Sequence, residues 1–252
     1  MRLDEDDPAV WEDVRAFQKA QTPGSTRKAL RLLDEKLQNW DSHPAGLITS
    51  ILDVVGEHRI NAGRTHLVRF LYIDDRLKGA NFIKDTACLA LGELGGAGAF
   101  QELQKLARQS SDEPLASIAT ALGALGDPRS IPLLEDLAMR PDAQLRARAL
   151  SSLAKYCSPT SQDEVIRAMM DQDDDVRNGA VFWLSRCGGT RDAQVLMDRL
   201  EDPDPLVRMN AVKGLIRIGT SIACKKLNDL VQDPDLSVRE IAADYARICG
   251  PH

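Results

Sequence analysis

His58 and His66 stand eight residues apart with Gly63 between them, which is not the i, i+4 spacing that sets two metal ligands on one helical face. Both read as solvated or capping residues. Five cysteines, Cys88, Cys157, Cys187, Cys224 and Cys249, form an odd set without a C-x-x-C pair. This suggests neither a disulfide framework nor a zinc knuckle, and a reducing cytoplasm fits best. Gly95-Gly96-Ala97-Gly98 follows a helical pattern rather than a strand, so it reads as a turn and not as a phosphate loop. Arg59, Arg64 and Arg69 make the one candidate basic patch, read as a solvated face with acidic neighbours. Asp4 to Asp7 before Pro8 read as the frayed start of a helix. No constellation for catalysis emerges, and no catalytic residue, metal or cofactor is expected.

The bulk properties narrow the field further. A formal charge of -6 and a pI near 5.3 disfavour general attraction to nucleic acid or anionic lipid, since both need a basic field. No stretch approaches the roughly 18 apolar residues of a membrane span, so the expectation is a soluble, cytoplasmic protein. With 43% hydrophobic but only 4% aromatic residues, the core must be built from small and branched aliphatic side chains, which favours closely packed helices.

Sliding the sequence along itself by 31 residues aligns its last two-thirds. Ile83, Pro114, Leu145, Val176, Val207 and Val238 mark the register, and four residues on come Ala87, Ile118, Ala149, Ala180, Ala211 and Ala242. Eight residues after each anchor stand Leu91, Leu122, Leu153, Leu184, Leu215 and Ala246. That spacing traces one stripe of an amphipathic helix. Twelve after the anchor come Gly95, Gly126, Cys157, Gly188, Gly219 and Gly250, where glycine suits the left-handed conformation that ends a helix. Cys157 replaces the stop glycine, while Cys187 and Cys249 precede one, so these cysteines read as small packing residues. Leu103, Leu134, Val165, Leu196 and Leu227, again 31 apart, mark a second helix in each unit. Asp173, Asp204 and Asp235 sit where an N-cap is required. A single hairpin cannot bury its stripe, whereas stacked copies share a continuous core. We therefore expect an all-α chain, a right-handed α-solenoid of stacked antiparallel hairpins. Residues 76–252 would hold six repeats, the last truncated, and 1–75 a divergent N-terminal cap of about two hairpins, with helical patterns at 9–21, 26–40, 44–57 and 65–73.

The run Asp202-Pro203-Asp204-Pro205-Leu206-Val207-Arg208, followed by Ala211, Leu215, Ile218 and Gly219, resembles the HEAT-like repeat of phycobilisome bilin lyases. Leu125-Gly126-Asp127-Pro128-Arg129 through Leu134 is similar to its second half. The resemblance spans about residues 78 to 252 and implies a hydrogen-bonded ladder between repeats. Its acids would be Asp171, Asp202 and Asp233, and its bases Arg146, Arg177, Arg208 and Arg239. Lys84 and Leu115 break the base column, and Lys78, Gln109 and Arg140 the acid column, so the ladder should be incomplete at its N-terminal end. Relatives with such repeats include lyase chaperones, adaptors, DNA glycosylases and metal-dependent hydroxylases. The hydroxylases use His-Glu ligand pairs, and no histidine here is followed by Glu.

If the first helix of each repeat lines a concave surface, as the resemblance implies, the positions farthest from its core stripe can be read off. They place Phe182, Met209 and Ile216 as large apolar groups on neighbouring helices, with Asn178, Lys213, Glu240, Asp244 and Arg247 around them. An apolar centre with a charged rim is the pattern of a protein-binding hot spot. The competing reading is that superhelical twist or the adjacent helix covers Phe182. The expected function is a protein-interaction scaffold or adaptor with a protein partner in the groove, one form being an inhibitory or immunity-type binder. Alternatives are a lyase or lyase-chaperone for a protein-bound chromophore, and a nucleic-acid or base-repair protein, which the charge disfavours. The oligomeric state is left open.

Overall fold

In the computed structural model the described residues are 45–74, 76, 79–110, 114–219 and 223–249. Among them every regular element is helical. The α-helices are α1 Ala45–Glu57, α2 Arg64–Leu71, α3 Ala80–Leu94, α4 Ala97–Gln109, α5 Leu115–Leu125, α6 Ile131–Leu137, α7 Ala143–Leu153, α8 Gln162–Ala168, α9 Asp174–Cys187, α10 Ala193–Asp198, α11 Pro205–Ile218, α12 Ala223–Asp229 and α13 Leu236–Cys249. The expected helices at 44–57 and 65–73 correspond to α1 and α2. Those at 9–21 and 26–40, with the acidic run and His43, lie outside the described residues, as do Gly250 and His252.

The chain forms two compact units, one up to Ser130 and the other from Ile131. Each is an all-α stack of helical hairpins, the architecture of a solenoid. In the first, α3 packs between α1 and α5. In the second, α7, α9, α11 and α13 pack in chain order. The registered stripe forms the core: Ile83, Val176, Val207 and Val238 are fully buried, as are Ala87, Ile118, Ala149, Ala180, Ala211 and Ala242 one turn on. The second-helix column Leu103, Leu134, Val165, Leu196 and Leu227 is fully buried too. Backbones approach closely where small residues meet. A side chain on Gly92 of α3 would place its Cβ 2.5 Å from the Ala121 carbonyl oxygen of α5.

Helix starts differ between the units. In the second unit Asp142 accepts the Leu145 amide at 2.7 Å, Asp173 that of Val176 at 3.1 Å, Asp204 that of Val207 at 3.0 Å and Asp235 that of Val238 at 3.2 Å. In the first, α3 and α5 begin after Gly79 and Pro114 with no side-chain cap.

Helix stops follow the expectation at Gly126 and Gly219, which are left-handed with φ of 67° and 73°, while Gly95 has a positive φ of 69° but ψ of -158°. Gly188 departs from it, with φ -64° and ψ 158°. Glycine serves closeness there: a Cβ would lie 2.6 Å from the Leu184 carbonyl oxygen and 3.2 Å from Oδ2 of Asp192. Cys157 takes the left-handed stop conformation without being glycine, at φ 49°.

Candidate partner-binding surface

The second unit is held in register by a row of guanidinium–carboxylate pairs. Arg146 meets Asp171 through Nε and Nη2, both at 3.0 Å, and Arg177 meets Asp202 at 3.0 and 3.1 Å. Arg208 meets Asp233 at 2.9 and 2.8 Å. Two parallel bonds per pair match the planar fork to the carboxylate. The third donor, Nη1, returns to the turn before its own helix: Arg146 to the carbonyls of Arg140 and Pro141, Arg208 to those of Asp202 and Pro203. Each ladder acid also accepts the amide two residues on, at 2.9 to 3.0 Å. The two aspartates of each turn therefore divide the work, the first joining repeats and the second capping a helix.

The electrostatics follow. Burial opposes the charge of Asp233, but the Arg208 hydrogen bonds, the Asp235 amide and the charge of Arg239 outweigh it and hold the carboxyl below its ordinary range. Asp171 is lowered in the same way by Arg146, the Asp173 amide and Arg177, against burial. Arg208 is raised first by its bond to Asp233. Among the described residues this ladder runs from Arg146 to Asp233, and Lys84 and Leu115 hold the corresponding base positions in the first unit.

A second row of arginines was not foreseen. Arg217 Nε donates to the Ser185 carbonyl at 2.6 Å and its Nη2 to that of Gly188, while Arg186 Nε reaches the Ala154 carbonyl at 3.4 Å. Both serve carbonyls at the C-terminal end of the preceding repeat's first helix, where a cation is favoured. Their sequence signal is a base ten residues after the anchor in both Val176 and Val207 repeats. Arg64 does the equivalent in the first unit, donating to the Gly95 carbonyl at 2.7 Å, so one member of the supposed basic patch is a helix cap.

The cysteine reading is corrected. Cys157 and Cys187 form a disulfide, with Cα atoms 5.1 Å apart, and Cys224 is also disulfide-bonded. The cause is geometric: a stop residue and the residue before the next repeat's stop lie side by side once the helices stack. Cys88 is a free, buried thiol, which burial and then Asp85 push up to about 12. Among the described residues no three His, Cys, Asp or Glu side chains gather as a metal site would require, and no helix is long and apolar enough to cross a membrane.

The eight residues read as partner-facing all lie in the second unit. Phe182, Met209 and Ile216 are half-buried, and Lys213, Glu240 and Asp244 are exposed. The Arg186 guanidinium lies 5.8 Å from the Phe182 ring centroid, a cation–π contact that covers part of the ring. Asn178 is engaged by its neighbour, accepting at 2.7 Å from Asn210. The same bridge joins Ser117 to Asp85 at 2.6 Å in the first unit, so this column stitches adjacent helices. Arg247 is on α13, and its side chain lies outside the described residues. The most exposed large apolar side chains of the second unit are elsewhere: Met139, Met170, Leu206 and Leu236, at 59, 74, 48 and 58% exposure. Their signal was present, since Met139 and Met170 are 31 apart, but they fall outside the core stripe.

These features define a class, the helical-repeat proteins whose hairpins are joined by a turn aspartate and a helix arginine. The chain belongs to the HEAT repeat family, matched over residues 83–154, 137–203 and 163–247. No curated protein sequence matches it. Among solved structures it is similar to the complex of CpcE and CpcF of phycocyanin lyase from Nostoc sp. PCC7120. The TM-score is 0.53 and identity 16%, covering 96% of this chain and 91% of that one. It is also similar to an engineered protein, with TM-score 0.53, identity 18%, and coverage of 96% of this chain and 68% of the other. At such identities the likeness is one of fold.

Proposed function

We propose that the protein is a non-catalytic scaffold that binds a segment of a partner protein on the face of its second unit formed by α9, α11 and α13. The observation that carries this reading is the half-buried apolar set Phe182, Met209 and Ile216, bordered by exposed Lys213, Glu240 and Asp244. A centre that can be desolvated inside a polar border is how protein interfaces are built. Arg186 would stay over Phe182 and offer a hydrogen-bond donor at the edge of the patch. Supporting the reading, the CpcE and CpcF structure is itself a complex of two protein chains. The partner would sit in a concave groove, and the net charge of -6 favours a partner with basic groups over nucleic acid.

The test is affinity purification of the intact protein from its native cell extract beside a Phe182→Asp/Met209→Asp variant, with absorbance scans and circular dichroism on both. A protein retained by the wild type and lost by an equally helical variant is the expected result. A partner that ignores the variant would move the surface elsewhere. A bound chromophore absorbing in the visible would favour the second reading, a lyase or lyase-chaperone, which the likeness to phycocyanin lyase motivates.

A further inference from the structure

At each of four successive turns in the second unit one exposed large apolar side chain stands beside one capping aspartate, Met139 and Met170 in the turn itself and Leu206 and Leu236 in the first turn of α11 and α13. Met139 precedes Asp142 by three residues and Met170 precedes Asp173 by three, while Leu206 and Leu236 follow Asp204 and Asp235 within two. The ladder brings these turns together. One guanidinium, that of Arg146, donates to the Arg140 carbonyl at 3.0 Å and to the Asp171 carboxylate at 3.0 Å, so the residues just after Met139 and just after Met170 share a single side chain. Arg177 and Arg208 join the following turns in the same manner. Beside Met170 the surface forms an open hollow of about 630 Å³, lined by Arg146, Met170, Asp171, Gln172 and Asp173.

Negative charge is in excess on this edge. Arg146, Arg177 and Arg208 are each neutralised by a ladder aspartate and Arg140 pairs with Asp136, while Arg239 rests on the carbonyls of Asp233 and Pro234 and is outnumbered by the capping acids. Every capping aspartate uses Oδ1 for the helix amides, and among the described residues Oδ2 of each makes no hydrogen bond. Asp174 and Asp175, exposed in the first turn of α9, add to the excess. An apolar row edged by free carboxylate oxygens repels anionic lipid and nucleic acid and is complementary to a surface that is both apolar and cationic. Stacked helices lie about 8–10 Å apart, and seven residues of a helix span about 10.5 Å. A helix running along the turns would thus present one apolar and one basic residue per heptad to each turn in succession.

We infer that this turn edge is a second docking surface, whose occupant is a Lys- or Arg-rich amphipathic helix of a partner protein. It is separate from the α9, α11 and α13 face and stands or falls independently of it. The probe is a fluorescent four-heptad peptide with one Leu face and one Lys face, followed by anisotropy. The wild type should bind it, with affinity falling as salt is raised. Met139→Ser/Met170→Ser/Leu206→Ser/Leu236→Ser, all at exposed sites, should weaken binding by about tenfold or more at unchanged helicity. Asp174→Asn/Asp175→Asn should weaken it less, by a few-fold, and Phe182→Asp/Met209→Asp should leave it unchanged. The inference is overturned if the serine variant binds as the wild type does. It is equally overturned if a Glu-for-Lys peptide binds as well. Loss in the Phe182/Met209 variant alone would assign the peptide to the other face.

Discussion

The two units share a packing scheme and differ in what secures it. In both, buried aliphatic stripes and small residues at helix crossings bring the first helices of successive repeats together, as Gly92 does against Ala121 and Gly214 against Ser185. Among the described residues, side-chain N-caps on the α-helices, a buried ladder and a disulfide are found in the second. In the first, carboxylates of α1 and α3 face one another instead, Asp53 and Glu57 against Glu93. The contrast teaches that burial suffices to stack these hairpins, and that polar groups fix the register where they are present. Substitutions should therefore separate the units.

The largest difference is expected at the ladder. Arg208 and Asp233 side chains are 10 and 3% exposed, and Arg208→Ala would leave the carboxylate buried without its partner. Such a change costs about 3–5 kcal/mol. Lys84→Ala, at the same register position in the first unit, should cost under about 1 kcal/mol. Urea denaturation followed by circular dichroism measures both, and equal losses would show that the ladder adds nothing to the second unit.

Next comes the disulfide, which closes a loop with a sequence separation of 30. In the chain-entropy account a closure of this length contributes about 3–4 kcal/mol, so Cys187→Ser should lower stability by about that much under oxidising conditions. Cys157→Gly gives a sharper result because the backbone there has φ 49°. With the disulfide reduced, glycine relieves a left-handed conformation that costs an ordinary residue about 1–2 kcal/mol, and the variant should exceed the wild type. Under oxidation the order should reverse. Melting curves with and without a dithiol reductant show whether the two curves cross.

What was legible in the sequence was whatever recurs at one column of the repeat. The core stripe, the capping aspartates and the Arg146, Arg177 and Arg208 pairings each repeat at 31 residues, because each does the same physical work at every junction. Cys157 and Cys187 escaped because they belong to different columns, a stop and the position before a stop, and become neighbours only through the stacking itself. Gly188 was anticipated for its φ and is required for its missing Cβ, a distinction set by how near Leu184 and Asp192 lie. The turn-edge residues were missed because attention to a helix's apolar stripe passes over turns, where Met139 and Met170 lie, and over the off-stripe first turn of a helix, where Leu206 and Leu236 lie. Conversely, Asn178 and Phe182 sit on the expected helix, but their contacts with Asn210 and Arg186 depend on side-chain directions that spacing does not specify.

The smallest effect expected is one of sign. Asp171 and Asp233 have carboxyls held below the ordinary range, so they bind protons less readily folded than unfolded. Their contribution is present above the unfolded value and is lost as pH falls through the folded one. Asp53 is raised by burial and by Glu57, and Glu93 by burial and then by Glu57 and Asp53. Their contribution is present below the unfolded value and is lost as pH rises through the folded one. Acidification should therefore loosen the second unit while relieving repulsion in the first. Hydrogen exchange read separately on α3 and α11 at neutral pH and at a pH below the ordinary aspartate range would show protection moving in opposite directions. Glu93→Gln should raise protection of α3 at neutral pH, by under about 1 kcal/mol because the group is largely exposed, and should flatten its pH dependence. If α3 and α11 lose protection together on acidification, the carboxylates of α1 and α3 are too well solvated to repel, and carboxylate repulsion does not distinguish the two units.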